Sequence, residues 1–236
     1  VSTTRLKQGA GAGAFVLAAA LGLGAAAVVP AQSAVVAAVP TATTTTVTVQ
    51  DSTVAHGEAT RITVSVDSVT NGPKPAGKVE LKVDDKSYFA DLTNSGKVDF
   101  DLPVLDASTT PYPLVATFTP ADAAAFSSST SAPVPVTVSK DGTTSTVTAR
   151  HNKMKRKIVA KNTVTSDHGQ VPVGKVKFVL RRNGIKIAKT VETLNTAGVA
   201  KAKFRNVRNR GDYKVVSRYL GSDNFTASKG SFKITR

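Results

Sequence analysis

The chain has 236 residues, no cysteine, no tryptophan, and 31 Lys/Arg against 16 Asp/Glu, a formal net charge of +15. Disulfides, thiolate chemistry and cysteine-ligated metals are thereby excluded, and Val/Thr-rich runs punctuated by Pro and Gly, without long helical patterns, predict an all-β protein. Charge is unevenly spread: residues 1–140 carry 9 Lys/Arg and 11 Asp/Glu, a net of −2, whereas residues 141–236 carry 22 and 5, a net of +17. Such asymmetry bears on partners and encounter, not on fold.

In chain order, Arg5 and Lys7 precede an uncharged apolar stretch from about residue 11 to 29, followed by Pro30-Ala31-Gln32-Ser33-Ala34. This reads as a secretory signal over residues 1–31, cleaved after Ala31 or closer to Ala38; the competing reading is a retained anchor, disfavoured by the weak hydrophobicity of Ala and Gly. Residues 32–45 form a Thr/Ala/Pro leader, expected to be extended or mobile. A first domain is expected over 46–139. Val47 and Val49 mark its first strand, and Ile62, Val64 and Val66 alternate with Thr63 and Ser65 to make a second with one buried face. Val79, Leu81 and Val83 follow a Pro/Gly turn, and Asp84-Asp85-Lys86 leads to a return strand with Tyr88 and Leu92. Val98, Phe100 and Leu102, then Leu114, Ala116 and Phe118, then Val134, Val136 and Val138 complete the set. About seven short strands in a span of this size fit a β-sandwich.

Residues 140–143 form a joint too short for a flexible tether. A second domain over 144–236 replays the order of the first. Val147 and Ala149, Ile158 and Ala160, and Val176, Phe178 and Leu180 take the corresponding places. Asn183-Gly184 is a hairpin signal leading to a return strand over 185–190. Ala200, Ala202 and Phe204, then Tyr213 to Tyr219, then Phe232 and Ile234 finish it. The two copies share a frame: Pro75-Ala76-Gly77-Lys78-Val79 returns 97 positions later as Pro172-Val173-Gly174-Lys175-Val176. Its glycine is expected to permit tight geometry where a Pro-restricted loop enters a strand.

These segments resemble the bacterial immunoglobulin-like repeat domains of exported and surface proteins. The resemblance rests on the Pro-x-Gly-Lys-Val strand start, on the Gly198–Phe204 segment echoed by Gly96–Phe100, and on Tyr213–Tyr219 followed by Leu220-Gly221-Ser222-Asp223-Asn224-Phe225. The first copy departs at Ala121-Asp122-Ala123-Ala124-Ala125, a longer turn without Gly or Asn. The resemblance covers nearly all of residues 45–236 and implies two tandem immunoglobulin-like β-sandwiches behind an N-terminal signal segment. Domains of this kind serve as spacers, as stalks and sometimes as binding modules, and they carry no shared catalytic residues.

No enzyme chemistry is expected. Asp167-His168 is the one adjacent acid–histidine pair and reads as a polar turn, lacking a positioned nucleophile. The three histidines, His56, His151 and His168, show no metal spacing, and Lys86 after Asp84-Asp85 argues against calcium. Asn224-Phe225-Thr226 matches a glycosylation triplet but reads as the turn before the final strand. Catalytic residues, cofactors and metals are therefore all expected to be absent.

The basic residues carry the functional expectation. Lys153, Lys155, Arg156 and Lys157 cluster before or at the second strand of the second domain; Lys157 and Lys161 alternate with Ile158 and Ala160, Lys175 and Lys177 with Val176 and Phe178, and Lys201, Lys203 and Arg205 with Ala200, Ala202 and Phe204, while Lys214 and Arg218 follow the same logic. The strands of Lys157 and Lys201 are expected in one sheet and those of Lys177 and Lys214 in the other, giving two positive outer faces. Two readings follow: a positive surface that only keeps an exported domain soluble, or salt-sensitive contact with an anionic envelope polymer or surface glycan. Specific nucleic-acid recognition is disfavoured because the aromatic residues fall in the core pattern, not on a stacking face. The chain is thus expected to be a secreted or surface-associated, non-enzymatic spacer or adhesive protein. The alternatives are a polyanion-binding module, acting on a wall phosphate polymer, an acidic glycan or nucleic acid through the basic second domain, or an accessory module of an envelope hydrolase system without catalysis of its own.

Overall fold

Strict alternation of apolar and polar residues is what builds this molecule. The computed structural model describes residues 39–70, 72–207 and 211–234, so the expected signal segment and residues 32–38 of the expected leader lie outside the described residues. The N-terminal half contains β1 (Thr43–Val49), β2 (Thr53–Ala55), β3 (Arg61–Ser68), β4 (Gly77–Val83), β5 (Lys86–Asp91), β6 (Lys97–Asp101), β7 (Tyr112–Pro120), β8 (Ser129–Thr130) and β9 (Val134–Ser139). The C-terminal half contains β10 (Thr143–Asn152), β11 (Lys157–Ser166), β12 (Lys175–Arg182), β13 (Ile185–Thr193), β14 (Val199–Phe204), β15 (Tyr213–Tyr219) and β16 (Ser228–Ile234).

The N-terminal half pairs its strands in the orders β1-β3-β6 and β2-β9-β7-β4-β5, with β8 on β7; the C-terminal half pairs them as β10-β11-β14 and β13-β12-β15-β16. Pairing is antiparallel except between β2 and β9. The architecture is all-β, with several sheets consistent with sandwich-like domains, and each half gathers a hydrophobic core of its own. One core gathers Val47, Ile62, Val64, Val66, Val79, Leu81, Leu114 and Phe118; the other gathers Val147, Ile158, Ala160, Val176, Phe178, Leu180, Val215 and Tyr219. Each large side chain buried in this way contributes about 1.5–3 kcal/mol of hydrophobic stabilisation.

The repeated frame has a packing reason that extends beyond the turn expected from sequence. Val79 lies opposite Phe118 in the β4–β7 ladder, and Val176 opposite Tyr219 in the β12–β15 ladder. Both rings are fully buried and lie against the frame glycine. A Cβ on Gly77 would meet the Phe118 ring and the carbonyl of Thr119, and one on Gly174, at φ +117°, would stand 3.2 Å from the Gly221 carbonyl. The glycine thus lets an aromatic ring seal the end of the core while the backbone passes close by. The Tyr219 hydroxyl donates to the Val173 carbonyl at 2.6 Å, which satisfies the polar tip of an otherwise buried ring.

Two boundaries and two short strands differ from the sequence expectation. Strand β1 begins at Thr43, inside the expected leader, because Thr43 and Thr45 hydrogen-bond to Ser127 and Ser129 and so tie the segment to the end of the half. The short β2 and β8 carry too few residues to show a period. Strand β13 continues to Thr193, three residues past its expected end. In each half the first segment runs parallel to a late one: Thr41 bridges Phe126 and Asp141 bridges Phe225. Thr143 then donates to the Thr226 carbonyl at 2.8 Å, and the Ser145 and Ser228 hydroxyls meet at 2.8 Å, so β10 and β16 advance in the same direction.

At two matching inward positions the second core is the more polar. Asn162 stands where the first core has Val64, opposite Val147 as Val64 is opposite Val47. Ser217 stands where the first has Ala116. Both are fully buried, and the Asn162 Oδ1 and Ser217 Oγ atoms have no hydrogen-bond partner.

Candidate functional site

Register places most of the candidate cations on two outward faces, as alternation requires. On the β10-β11-β14 sheet, Lys161 lies directly opposite Lys201, and Val159 stands between Arg150 and Lys203. Lys157 shares this face, and Arg205 follows the end of β14. Lys153, Lys155 and Arg156 are on neither face. They occupy the turn joining β10 to β11, where the Asn152 side chain accepts the Lys155 N–H at 2.8 Å and Arg156 takes a left-handed φ of 46°. They stand just before β11, and hairpin geometry separates them from the rows.

The β13-β12-β15-β16 sheet is more densely charged. Lys177 lies opposite Arg218, and Arg218 opposite Lys229; four residues along β12, Arg181 lies opposite Lys214, and Lys214 opposite Lys233. Between these two rows runs a third of Val179, Val216 and Ser231, with Lys189 opposite Val179 at the β13 end. Lys175 flanks the first row on β12. The face therefore joins Lys175, Lys177, Lys214 and Arg218 with Arg181, Lys189, Lys229 and Lys233, four residues that the sequence reasoning missed. The signal for two of them was present, since Lys229 and Lys233 alternate with the inward Phe232 and Ile234.

Like charges directly opposite each other on a sheet are destabilising by about 0.2–1 kcal/mol. Among the described residues, no carboxylate forms an ion pair with these row cations, whereas the N-terminal half pairs Arg61 with Asp99, Lys74 with Asp67 and Lys78 with Asp91. Asp212 lines a cleft of about 460 Å³ together with Arg181, Lys214 and Lys233 of the second row. A larger cleft of about 660 Å³ opens between β13 and β14, bordered by Lys189, Lys203, Arg205 and Tyr213.

A second cluster of titratable groups lies where the two halves meet. Asp141, in the joint, is fully buried, and its backbone pairs with Asn224 and Thr226. Its carboxylate accepts from the His168 ring at 2.8 Å and from the His168 backbone N–H at 3.2 Å. The other ring nitrogen of His168 stands 4.0 Å from the Glu58 carboxylate of the N-terminal half. Burial would raise the Asp141 carboxyl, but hydrogen bonds from His168 and Ser166 hold it below the usual carboxylate range. The bond to Asp141 raises His168, helped by the charges of Asp141, Glu58 and Asp167 and opposed by partial burial. Asp167 is only the sequence neighbour of His168 in a polar turn; the hydrogen-bonded carboxylate is that of Asp141, 27 residues away. Both ring nitrogens face carboxylates, so this is a structural ion pair and not a base aimed at a hydroxyl.

The junction is completed by the His56 ring against Phe225 (centroids 5.3 Å apart) and by Asn224, which donates to the Asp106 carboxylate at 2.6 Å and accepts from the Ala107 N–H at 2.9 Å. Among the described residues, no group of three or more His, Asp or Glu could hold a metal.

No family model matches the chain, and no curated protein matches it. Among solved structures, it is similar to a 1.5-MDa bacterial ice-binding adhesin at 14% identity and a TM-score of 0.33, over 83% of this chain and 64% of that one. It is also similar to a Ca²⁺-stabilised ice-binding adhesin of an Antarctic bacterium at 18% identity and a TM-score of 0.35, over 83% and 49% of the two chains. A tetra-tandem repeat from the extending region of a large adhesion protein aligns at 14% identity and a TM-score of 0.42, over 82% and 50%. The chain thus spans from about half to 64% of the length of these structures. At that distance no residue role passes from them to this protein.

Proposed function

We propose that the protein is an exported, non-enzymatic adhesive or spacer protein of the cell envelope, built from two immunoglobulin-like sandwiches. In this reading the N-terminal domain is a near-neutral spacer and the C-terminal domain contacts an anionic envelope polymer. The observation that carries it is the outward face of β12, β15 and β16, where Lys177, Arg218 and Lys229, and again Arg181, Lys214 and Lys233, stand side by side without a carboxylate on the same strands' outer face. A surface needed only for solubility gains nothing from placing like charges opposite one another, since interspersed signs serve equally well. A polymer with repeating anions would offset that repulsion at several points at once and release bound counterions in doing so.

The test is retention of the full chain on immobilised acidic polysaccharide and on isolated wall material across a salt series. Retention at low salt that falls steeply with added salt is expected. No retention at about 20 mM salt, where screening is weak, overturns the reading.

A further inference from the structure

Of the two positive faces, one has the geometry of a track. Adjacent strands in a sheet are spaced about 4.8 Å apart, and residues along a strand rise about 3.3 Å each, so cations within a row stand about 5 Å apart and the two rows about 13 Å apart. The Val179–Val216–Ser231 row between them carries no charge and no aromatic ring, and Lys189 caps it at β13. The result is a shallow trough running across the strands, with a line of cations on either bank. The opposite sheet has no equivalent: its cross-strand rows place Lys161 beside Lys201, and Arg150 and Lys203 on either side of Val159, leaving no neutral row between two cationic ones.

We infer that a single-chain acidic polysaccharide lies in this trough, across β12, β15 and β16, with its carboxylates reaching alternately to the Lys177–Arg218–Lys229 bank and the Arg181–Lys214–Lys233 bank. This rests on the polyanion reading above and assigns its place and chemistry. Several features select the ligand. Two banks separated by a neutral floor suit a chain that projects acidic groups to both sides. A polyphosphate is a narrower thread, charged all along, that would be satisfied by one bank alone. A nucleic-acid duplex is too wide to enter between the banks, and a single strand would find no aromatic side chain on which to stack its bases. The aliphatic floor of Val179 and Val216 accommodates the C–H faces of sugar rings, and Ser231 offers a hydroxyl. On one bank Arg218 supplies a planar fork matched to a carboxylate, and on the other Arg181 offers its remaining N–H groups while one Nη donates to the Gly184 carbonyl at 2.9 Å.

The experiment measures binding of the full chain to polygalacturonate, inorganic polyphosphate and duplex DNA over a salt series. The variants are three triple substitutions: Lys177→Gln/Arg218→Gln/Lys229→Gln, Arg181→Gln/Lys214→Gln/Lys233→Gln, and, on the opposite sheet, Lys161→Gln/Lys201→Gln/Lys203→Gln. All three remove the same charge from outward positions, and thermal melting verifies that each folds. Either bank variant is expected to lose about tenfold in polygalacturonate affinity and about 2 in the slope of log K against log salt, while the opposite-sheet variant loses no more than about threefold. Equal losses from all three would overturn the track and leave the broader polyanion reading standing. Loss from one bank only, or tighter binding of polyphosphate or duplex than of polygalacturonate, would also overturn the assignment. If the unmodified chain binds none of the three probes at low salt, the broader reading fails with it.

Discussion

The outer faces of β4 and β12 belong to equivalent strands that begin with the same Pro-x-Gly-Lys-Val frame, yet they carry opposite electrostatic logic. On β4, Lys78 faces Asp91 across the ladder and Glu80 faces Phe89. On β12, the matching lysine, Lys175, faces Thr193, and the place of Glu80 is taken by Lys177, which faces Arg218. The other sheets repeat the contrast, with Arg61 near Asp99 in one half and Lys161 opposite Lys201 in the other. Inward, matching positions stay mostly apolar though the residues change, as with Leu81 against Phe178 and Phe118 against Tyr219, and polarity enters at Asn162 against Val64 and Ser217 against Ala116. The pleat explains how both can hold: a residue changed on one side of a strand leaves the packing on the other untouched.

That comparison can be broken most forcefully from the inside. If the inner faces are equivalent, Phe178→Ala and Leu81→Ala, which truncate side chains at matching positions, should cost about 3–5 and 2–5 kcal/mol respectively in chemical denaturation. A cost below about 1 kcal/mol in either half would show that its strand facing is wrong. The frame glycines sharpen the comparison further. Gly77→Ala drives a methyl into backbone and ring, whereas Gly174→Ala meets a carbonyl at a tight but less severe distance. Both should destabilise, by about 1–3 kcal/mol, with Gly77 at the upper end. The reverse order would mean that β4 and β12 do not begin in the same way.

The junction measures how far the halves can be considered separately. His168→Gln should lower stability by about 1–2 kcal/mol, the scale of a charged hydrogen bond, with a definite pH dependence. His168 is raised in the folded protein, so its contribution is complete below its ordinary value of 6.5 and is lost as pH rises through the raised value. Asp141 is lowered, so its contribution is complete above its ordinary value of 3.8 and is lost as pH falls through the lowered value. The difference between parent and variant should therefore be greatest between about pH 4 and 6.5 and shrink on the alkaline side. Unfolding midpoints measured across pH settle it; a difference that does not vary with pH would show that the Asp141–His168 pair is not charged as described.

Much of the fold was legible because period-two burial is a local signal. Ile62, Val64 and Val66, or Val176, Phe178 and Leu180, declare their inward direction within five residues. The repeated frame fixed which strands correspond, including the match of Phe118 with Tyr219, although the reason for its glycine emerged only with the ring lying against it. What escaped the sequence is non-local. Asp141 looks like one polar residue in a joint, and nothing in its surroundings announces a histidine 27 positions later or Glu58 in the other half. The cation rows were partly visible strand by strand, but their alignment into banks depends on register between β12, β15 and β16. Lys189 was hidden for another reason: the β12–β13 register shifts between Leu180 and Arg181, so counting back from the Asn183-Gly184 turn does not show which residue it faces.

The parallel course of early and late segments in each half has a mechanical consequence. Because β10 and β16 advance in the same direction, pulling on the two ends of that half drags the strands past each other along their length. The contacts of Thr143 with Thr226 and of Ser145 with Ser228 are then loaded together and not opened one after another. Thr43 and Thr45 against Ser127 and Ser129 place the first half in the same condition. Resistance to stretching is governed by the unfolding barrier and not by equilibrium stability, so these side-by-side contacts bear on the force the fold withstands more than on its melting point.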